Sequence, residues 1–270
     1  MFFSELKRAF SRNSFKLMIL LVSIICLINL WDVFKVVWNN EDILSQYIGG
    51  YVSTSFSGFM FFNSNPFANI LIIIMPIISA FSFSDSYIED MKSGIIQSMY
   101  TRQSRVKYFI NKYFANFIVS GVAFSLPLLL NYILCIMLKP SVQPDPILTG
   151  KIIMKGGLFT DLFYSNAHLY TIMWIGIYFL YSGTFASIGL CASKVIKNKY
   201  IVLFVPFILN IVVTILGEIF DGLKFVPSSF LYLSRNQHFS IIMGEFIVVS
   251  IITFVLFCFT GVRSDVYKVD

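Results

Sequence analysis

The sequence predicts an all-α integral membrane protein with six transmembrane helices, an N-terminal amphipathic interfacial helix and both termini cytoplasmic. Three observations carry this reading. Of 270 residues, 57% are hydrophobic and only 13% charged, which leaves a water-soluble fold too little polar surface to cover itself. The charged residues gather in short segments between long apolar runs, and six of those runs reach the roughly 20 residues that a helix needs to cross a bilayer. Lysine and arginine are divided unevenly between the two sides of those runs, which sets the expected orientation.

Residues 1–16 form the expected amphipathic helix on the cytoplasmic face. Phe3, Leu6 and Phe10 share one helical face while Glu5, Lys7, Arg8 and Arg12 point elsewhere, the pattern of a helix lying in the inner leaflet surface. A basic start followed by an apolar run has the outline of a signal peptide, but no small-residue cleavage site follows and five more spans do. The run is therefore read as a retained first helix. Spans are expected at about 17–37, 67–85, 113–138, 169–192, 200–217 and 239–261, making one transmembrane domain over 17–261 and a cytoplasmic tail over 262–270. Asp32 and Lys35 fall inside the first span, three residues apart, where pairing or snorkelling at the interface costs less than a break. With the N-terminus inside, the inner segments hold 14 of the 20 basic residues in 59 positions, and the outer loops hold five in 80.

The net charge of +6 and isoelectric point near 9.1 suit anionic lipid headgroups, because the basic residues flank the apolar runs; nucleic acid is not an expected partner. Cys26, Cys135, Cys191 and Cys258 all fall in spans without metal-ligand spacing and read as small apolar residues. The chain has no phosphate-cradling glycine loop, no zinc-protease or serine-hydrolase motif, and only two histidines, His168 and His238, so no catalytic or metal site of its own is expected.

Four features stand out along the spans and outer loops. Glu245 lies about two turns into the sixth span, where a carboxylate is costly enough to mark a translocation pathway or gate; a neutral glutamate bonded to a neighbouring helix is the alternative. Pro76, Pro127 and Pro206 interrupt three spans and are candidate hinges. Gly183 and Ser187, four apart, allow close approach of a neighbouring backbone. The loop 39–66, with Gly49, Gly50 and Gly58 among Tyr47, Tyr51, Phe56, Phe59, Phe61 and Phe62, either re-enters the membrane or packs over the bundle. The loop 139–168 opens on Pro140, Pro144 and Pro146 and carries Phe159, Phe163 and Tyr164, read as an interfacial aromatic belt.

The most informative segment is the cytoplasmic loop 86–112. Asp85, Glu89 and Asp90 precede Gly94, and Arg102, Arg105, Lys107 and Lys112 follow it. An acidic start and a basic end suit the dipoles of a short surface helix or helix pair. Such a loop reads as a docking surface for another protein or as a solvated connector.

The pattern Glu89-Asp90-x3-Gly94, then Tyr100-Thr101-Arg102-x-Ser104-x2-Lys107-Tyr108 and Lys112, resembles the corresponding loop of ABC-2 type transporter permeases. The resemblance continues through Pro127-Leu128-Leu129-Leu130-Asn131, Asn198-Lys199-Tyr200 and Pro206-Phe207, and so covers essentially the whole chain; Lys92 departs from the acid that many family members carry there. It implies a permease subunit that binds no cofactor itself, with ATP and Mg held and hydrolysed by a separate ATP-binding subunit in two copies. A second permease copy or a homologous permease completes such a transporter. The family's loop fits a cleft on the ATPase, which makes Glu89, Asp90, Gly94, Arg102 and Arg105 candidate coupling residues, with Gly94 free to adopt positive φ at a turn. The implied activity is export of an amphipathic or hydrophobic cargo across the cell membrane of a Gram-positive bacterium. A bacteriocin or antimicrobial peptide, exported or expelled in self-immunity, is the first expectation, and a lipid or polysaccharide the next. A membrane sensor or assembly factor that transports nothing and binds a partner through the cytoplasmic loop is the rival reading.

Overall fold

The computed structural model describes residues 2–39, 54–62, 66–102, 104–145, 158–220, 226–227, 231 and 238–264, and all regular secondary structure among them is helical. Tyr47, Gly49, Gly50, Tyr51, Pro146 and the tail from 265 lie outside the described residues.

Helix α1 (Phe2–Ser11) ends at Arg12, whose extended backbone (φ −68°, ψ 142°) separates it from α2 (Asn13–Trp38). The inward face of α1 is in part the one that apolar spacing picks out, since Leu6 and Phe10 pack against the core. Glu5 and Ala9 are buried while Phe3 is 82% exposed, because cations waiting inside reward the inward carboxylate, and an outward Phe3 suits lipid. Helix α2 is apolar nearly all round, as a bilayer span is. Met18, Val22, Cys26 and Val33 face the bundle, and Leu17, Leu20, Leu27 and Trp31 face away. Asp32 and Lys35 pair at 3.6 Å, with the Lys35 ammonium 5.8 Å from the Trp31 ring centre.

The short α3 (Ser55–Gly58) is held by a reciprocal cap in which the Thr54 hydroxyl accepts from the Ser57 amide and the Ser57 hydroxyl from the Thr54 amide. Phe56, Phe59, Met60, Phe61 and Phe62 are all buried, and the Ser55 amide donates to the Pro140 carbonyl at 3.1 Å. The described part of this loop therefore packs over one end of the bundle.

Next come α4 (Pro66–Phe83), α5 (Ser86–Lys92), α6 (Ile95–Arg102) and α7 (Arg105–Leu138). At 34 residues, α7 is roughly 50 Å long, well beyond the about 30 Å of a hydrocarbon core, so part of it projects. The short α8 (Thr160–Ser165) leads into α9 (Ala167–Ala192), followed by α10 (Lys199–Ile219) and α11 (Phe239–Ser264). Among the described residues six helices are long and apolar enough to cross a membrane: α2, α4 continued through α5, α7, α9, α10 and α11 as far as Gly261.

Helices α7 and α9 form the centre, with α2 on α7, α4 against α2, α7 and α9, α10 against α4 and α9, and α11 against α9 and α7. The central pair interlocks reciprocally. A Cβ on Gly121 of α7 would lie 2.5 Å from the Phe179 ring of α9, and one on Gly183 of α9 would lie 2.6 Å from the Phe117 ring of α7. Gly183 thus admits an aromatic ring rather than a neighbouring backbone, and the Ser187 hydroxyl bonds back to the Gly183 carbonyl at 2.9 Å. Small polar bonds supplement this packing: Ser79 to Ser182 at 2.8 Å, Ser182 to the Ser120 carbonyl at 2.7 Å and Asn131 to the Cys26 carbonyl at 3.1 Å. Between apolar helices in lipid, such bonds and close fits do the work that hydrophobic exclusion does in water.

Candidate functional site

Two places in the fold carry groups that packing alone does not call for. The first is an elbow at one end of the bundle. Helix α4 turns at Ser84 and Asp85 into α5, and α5 turns at Ser93 and Gly94 into α6. Gly94 has φ +69°, the left-handed conformation that glycine adopts without a Cβ clash. Residues 91–95 are exposed, including the apolar Met91 and Ile95 at 40% and 38%.

Helix α5 is fastened to the bundle by charge. Asp90 is 2% exposed and accepts from Lys112 at 2.5 Å, from the Tyr108 hydroxyl at 2.7 Å and from Arg8 at 2.6 Å. Asp85 accepts both guanidinium nitrogens of Arg12, at 2.9 and 3.1 Å, the two-pronged geometry that gives such pairs their strength. Glu89, with half its side chain exposed, meets Arg12 at 2.7 Å. Buried Glu5 completes the cluster at 3.8 Å from Lys112 and 3.7 Å from Arg8. All three cations face the buried Phe83 ring, with Lys112 closest at 4.9 Å from its centre. Arg8 is held above its ordinary pKa: burial, the largest influence, pulls it down, and the Asp90 and Glu5 carboxylates together outweigh burial.

A second clamp holds α5 from the other side. Lys194, in the turn between α9 and α10, donates to the Tyr87 hydroxyl at 2.7 Å and stands 4.0 Å from the ring centres of both Tyr87 and Phe109. The expected coupling residues therefore part company. Asp90 belongs to the interior cluster, Glu89 and Gly94 to the accessible surface, and Arg105 stacks over Tyr100 at 5.2 Å; the Arg102 side chain lies outside the described residues. Glu5 and Lys194 were not legible as site residues, nor was the burial of Lys112, since their partners are distant in sequence; Met91 and Ile95 stand out only where the turn exposes them.

The second place is a cleft of about 100 Å³ between α10 and α11, backed by α9 and lined by Glu245, Asn210, Thr184 and Tyr181 among apolar side chains. Pro206 also lines it. Pro76, Pro127 and Pro206 are buried inside α4, α7 and α10 respectively, each withholding an amide from the helix ladder.

No family model, no curated protein and no solved structure matches the chain.

Proposed function

We propose that the chain is the membrane subunit of an ATP-driven exporter of the ABC-2 permease kind, set in a bacterial cell membrane with the elbow in the cytoplasm. The elbow is the observation that carries this reading. Two short helices meet at a left-handed glycine and expose an apolar tip of Met91 and Ile95, a shape suited to a cleft on a partner. Behind the tip, α5 is tied by buried ion pairs to α1 and α7 and by Lys194 to the turn between α9 and α10. A displacement at the tip is passed to those elements with little slack, because breaking the Lys112–Asp90 pair leaves two buried charges apart.

On this reading ATP and Mg belong to two copies of a separate ATP-binding subunit, and a second permease copy or homologue completes the transporter. The cargo is amphipathic or hydrophobic, with a peptide the leading candidate, in line with a bundle whose described core is rich in aromatic side chains. Purification of the tagged chain from its native membranes tests the assignment. An ATP-binding protein with ATPase activity is expected to accompany it, and Glu89→Lys is expected to lower the accompanying activity about tenfold, the scale of one reversed charge contact, while the chain itself stays folded. Recovery of the chain with a partner that hydrolyses no ATP favours the sensor or assembly-factor reading instead.

A further inference from the structure

The cleft between α10 and α11 has a one-sided chemistry. Its apolar walls include Phe185, Ile188, Leu209, Val213 and Phe246, and two buried oxygens in it, Glu245 Oε2 and Asn210 Oδ1, have no hydrogen-bond partner among the described residues. Both are acceptors. The two hydroxyl donors on the same wall are committed elsewhere, Tyr181 to the Ile242 carbonyl and Thr184 to the Tyr181 carbonyl, each at 2.7 Å. Among the described residues, Glu245 forms no ion pair. A carboxyl oxygen and an amide oxygen left without partners in the same apolar cleft are costly, and a group that brings both positive charge and several N–H donors removes that cost.

We propose that this cleft binds a primary ammonium group carried on an apolar body. An ammonium offers three donors in a compact volume, matching Glu245, Asn210 and the acceptor side of the Thr184 hydroxyl, and it fits a space equal to roughly three water molecules. A calcium ion needs six or more oxygens. The apolar body follows from the opening: Leu209 and Val213 are 45% and 42% exposed on the outer side of α10, so the cleft gives sideways onto the surface that lipid covers. An ammonium reaching it from the bilayer keeps its chain among apolar side chains and lipid tails. Such a group is offered by a lysine or amino terminus of an amphipathic peptide, or by an aminophospholipid headgroup. As a statement about cargo the proposal rests on the permease reading; as a statement about binding it concerns this chain alone.

The test uses the full chain in phosphatidylcholine nanodiscs with dicyclohexylcarbodiimide, which labels carboxyl groups reached from the apolar phase, read by mass spectrometry of the peptide containing Glu245. Dodecylammonium is expected to slow the labelling at least about tenfold at a concentration where dodecanol leaves it unchanged, as one charge-assisted contact implies. Equilibrium binding of radiolabelled dodecylammonium is expected to weaken about tenfold in Glu245→Gln, and less in Asn210→Ala. Slowing by phosphatidylethanolamine in the disc assigns the ammonium to lipid, and slowing by an amphipathic lysine peptide assigns it to peptide; either supports the site. Equal protection by dodecanol, no protection by dodecylammonium, or a Glu245 that the carbodiimide never labels overturns it. None of these readings needs an ATPase, so failure here leaves the transport assignment to the purification experiment.

Discussion

Glu89 and Asp90 are neighbours of the same charge, and nothing local in the sequence separates their roles. One residue of a helix turns the next side chain by about 100°, which sends Asp90 inward to Lys112, Tyr108 and Arg8 and leaves Glu89 half in solvent with Arg12. The acidic cluster ahead of Gly94 was legible; the division of labour within it was not, because the deciding partners lie 22 and 82 positions away. The division has a measurable consequence. Asp90→Asn leaves the fully buried Lys112 with Glu5 at 3.8 Å as its remaining carboxylate, and is expected to destabilise the chain by about 3 kcal/mol, the scale of breaking a buried pair from one side. Glu89→Gln, losing a partly exposed pair, is expected to cost under about 1 kcal/mol. Adding Lys112→Met to Asp90→Asn removes the stranded charge, and the double variant is expected to recover most of the loss in thermal unfolding of the detergent-purified chain. A double variant less stable than Asp90→Asn alone would show that Asp90 is not there to neutralise Lys112.

At the scale of elements, the six spans were legible because lipid makes a demand that sequence displays directly: each crossing satisfies its backbone internally over a long apolar run. The turn between α5 and α6 was legible through Gly94. How the spans fit one another was not, since a phenylalanine facing lipid and one filling a neighbour's glycine notch look alike in a hydropathy profile. Phe117 over Gly183 and Phe179 over Gly121 are the notched kind, and their reciprocity means that neither ring retreats without opening the other contact. Gly121→Ala and Gly183→Ala are each expected to cost about 1–3 kcal/mol by overpacking. Gly176, on the same helix α9, has open space where a Cβ would stand, with nothing within 4 Å, and supplies the control: Gly176→Ala is expected to be neutral or up to about 1 kcal/mol stabilising, as helix propensity dictates. Thermal unfolding of the three variants side by side separates a packing notch from a general cost of changing helix glycines, and equal effects at all three positions would rule the interlock out.

For the molecule as a whole, the fold sorts its segments by end, and charge then orients the ends. Helix α1, the elbow, the turn 193–198 and the Phe257 turn of α11 meet at one end through Arg8, Lys112 and Lys194. The segment 54–62, the stretch after α7, α8 and the start of α9 meet at the other through Ser55, Pro140 and the edge-to-face contacts of Phe56 with the Phe163 and His168 rings. The first end carries most of the lysine and arginine, so the positive-inside rule points it to the cytoplasm, where the proposed ATP-binding partner would meet its nucleotide. Two positions report on this. Val195 is 85% exposed at the basic end and Val142 is 44% exposed at the other. With Cys26, Cys135, Cys191 and Cys258 replaced by alanine, a membrane-impermeant maleimide applied to intact cells is expected to label Val142→Cys and to reach Val195→Cys only after permeabilisation. The opposite pattern would place the elbow outside the cell, away from any source of ATP, and the orientation and the permease assignment would fall together.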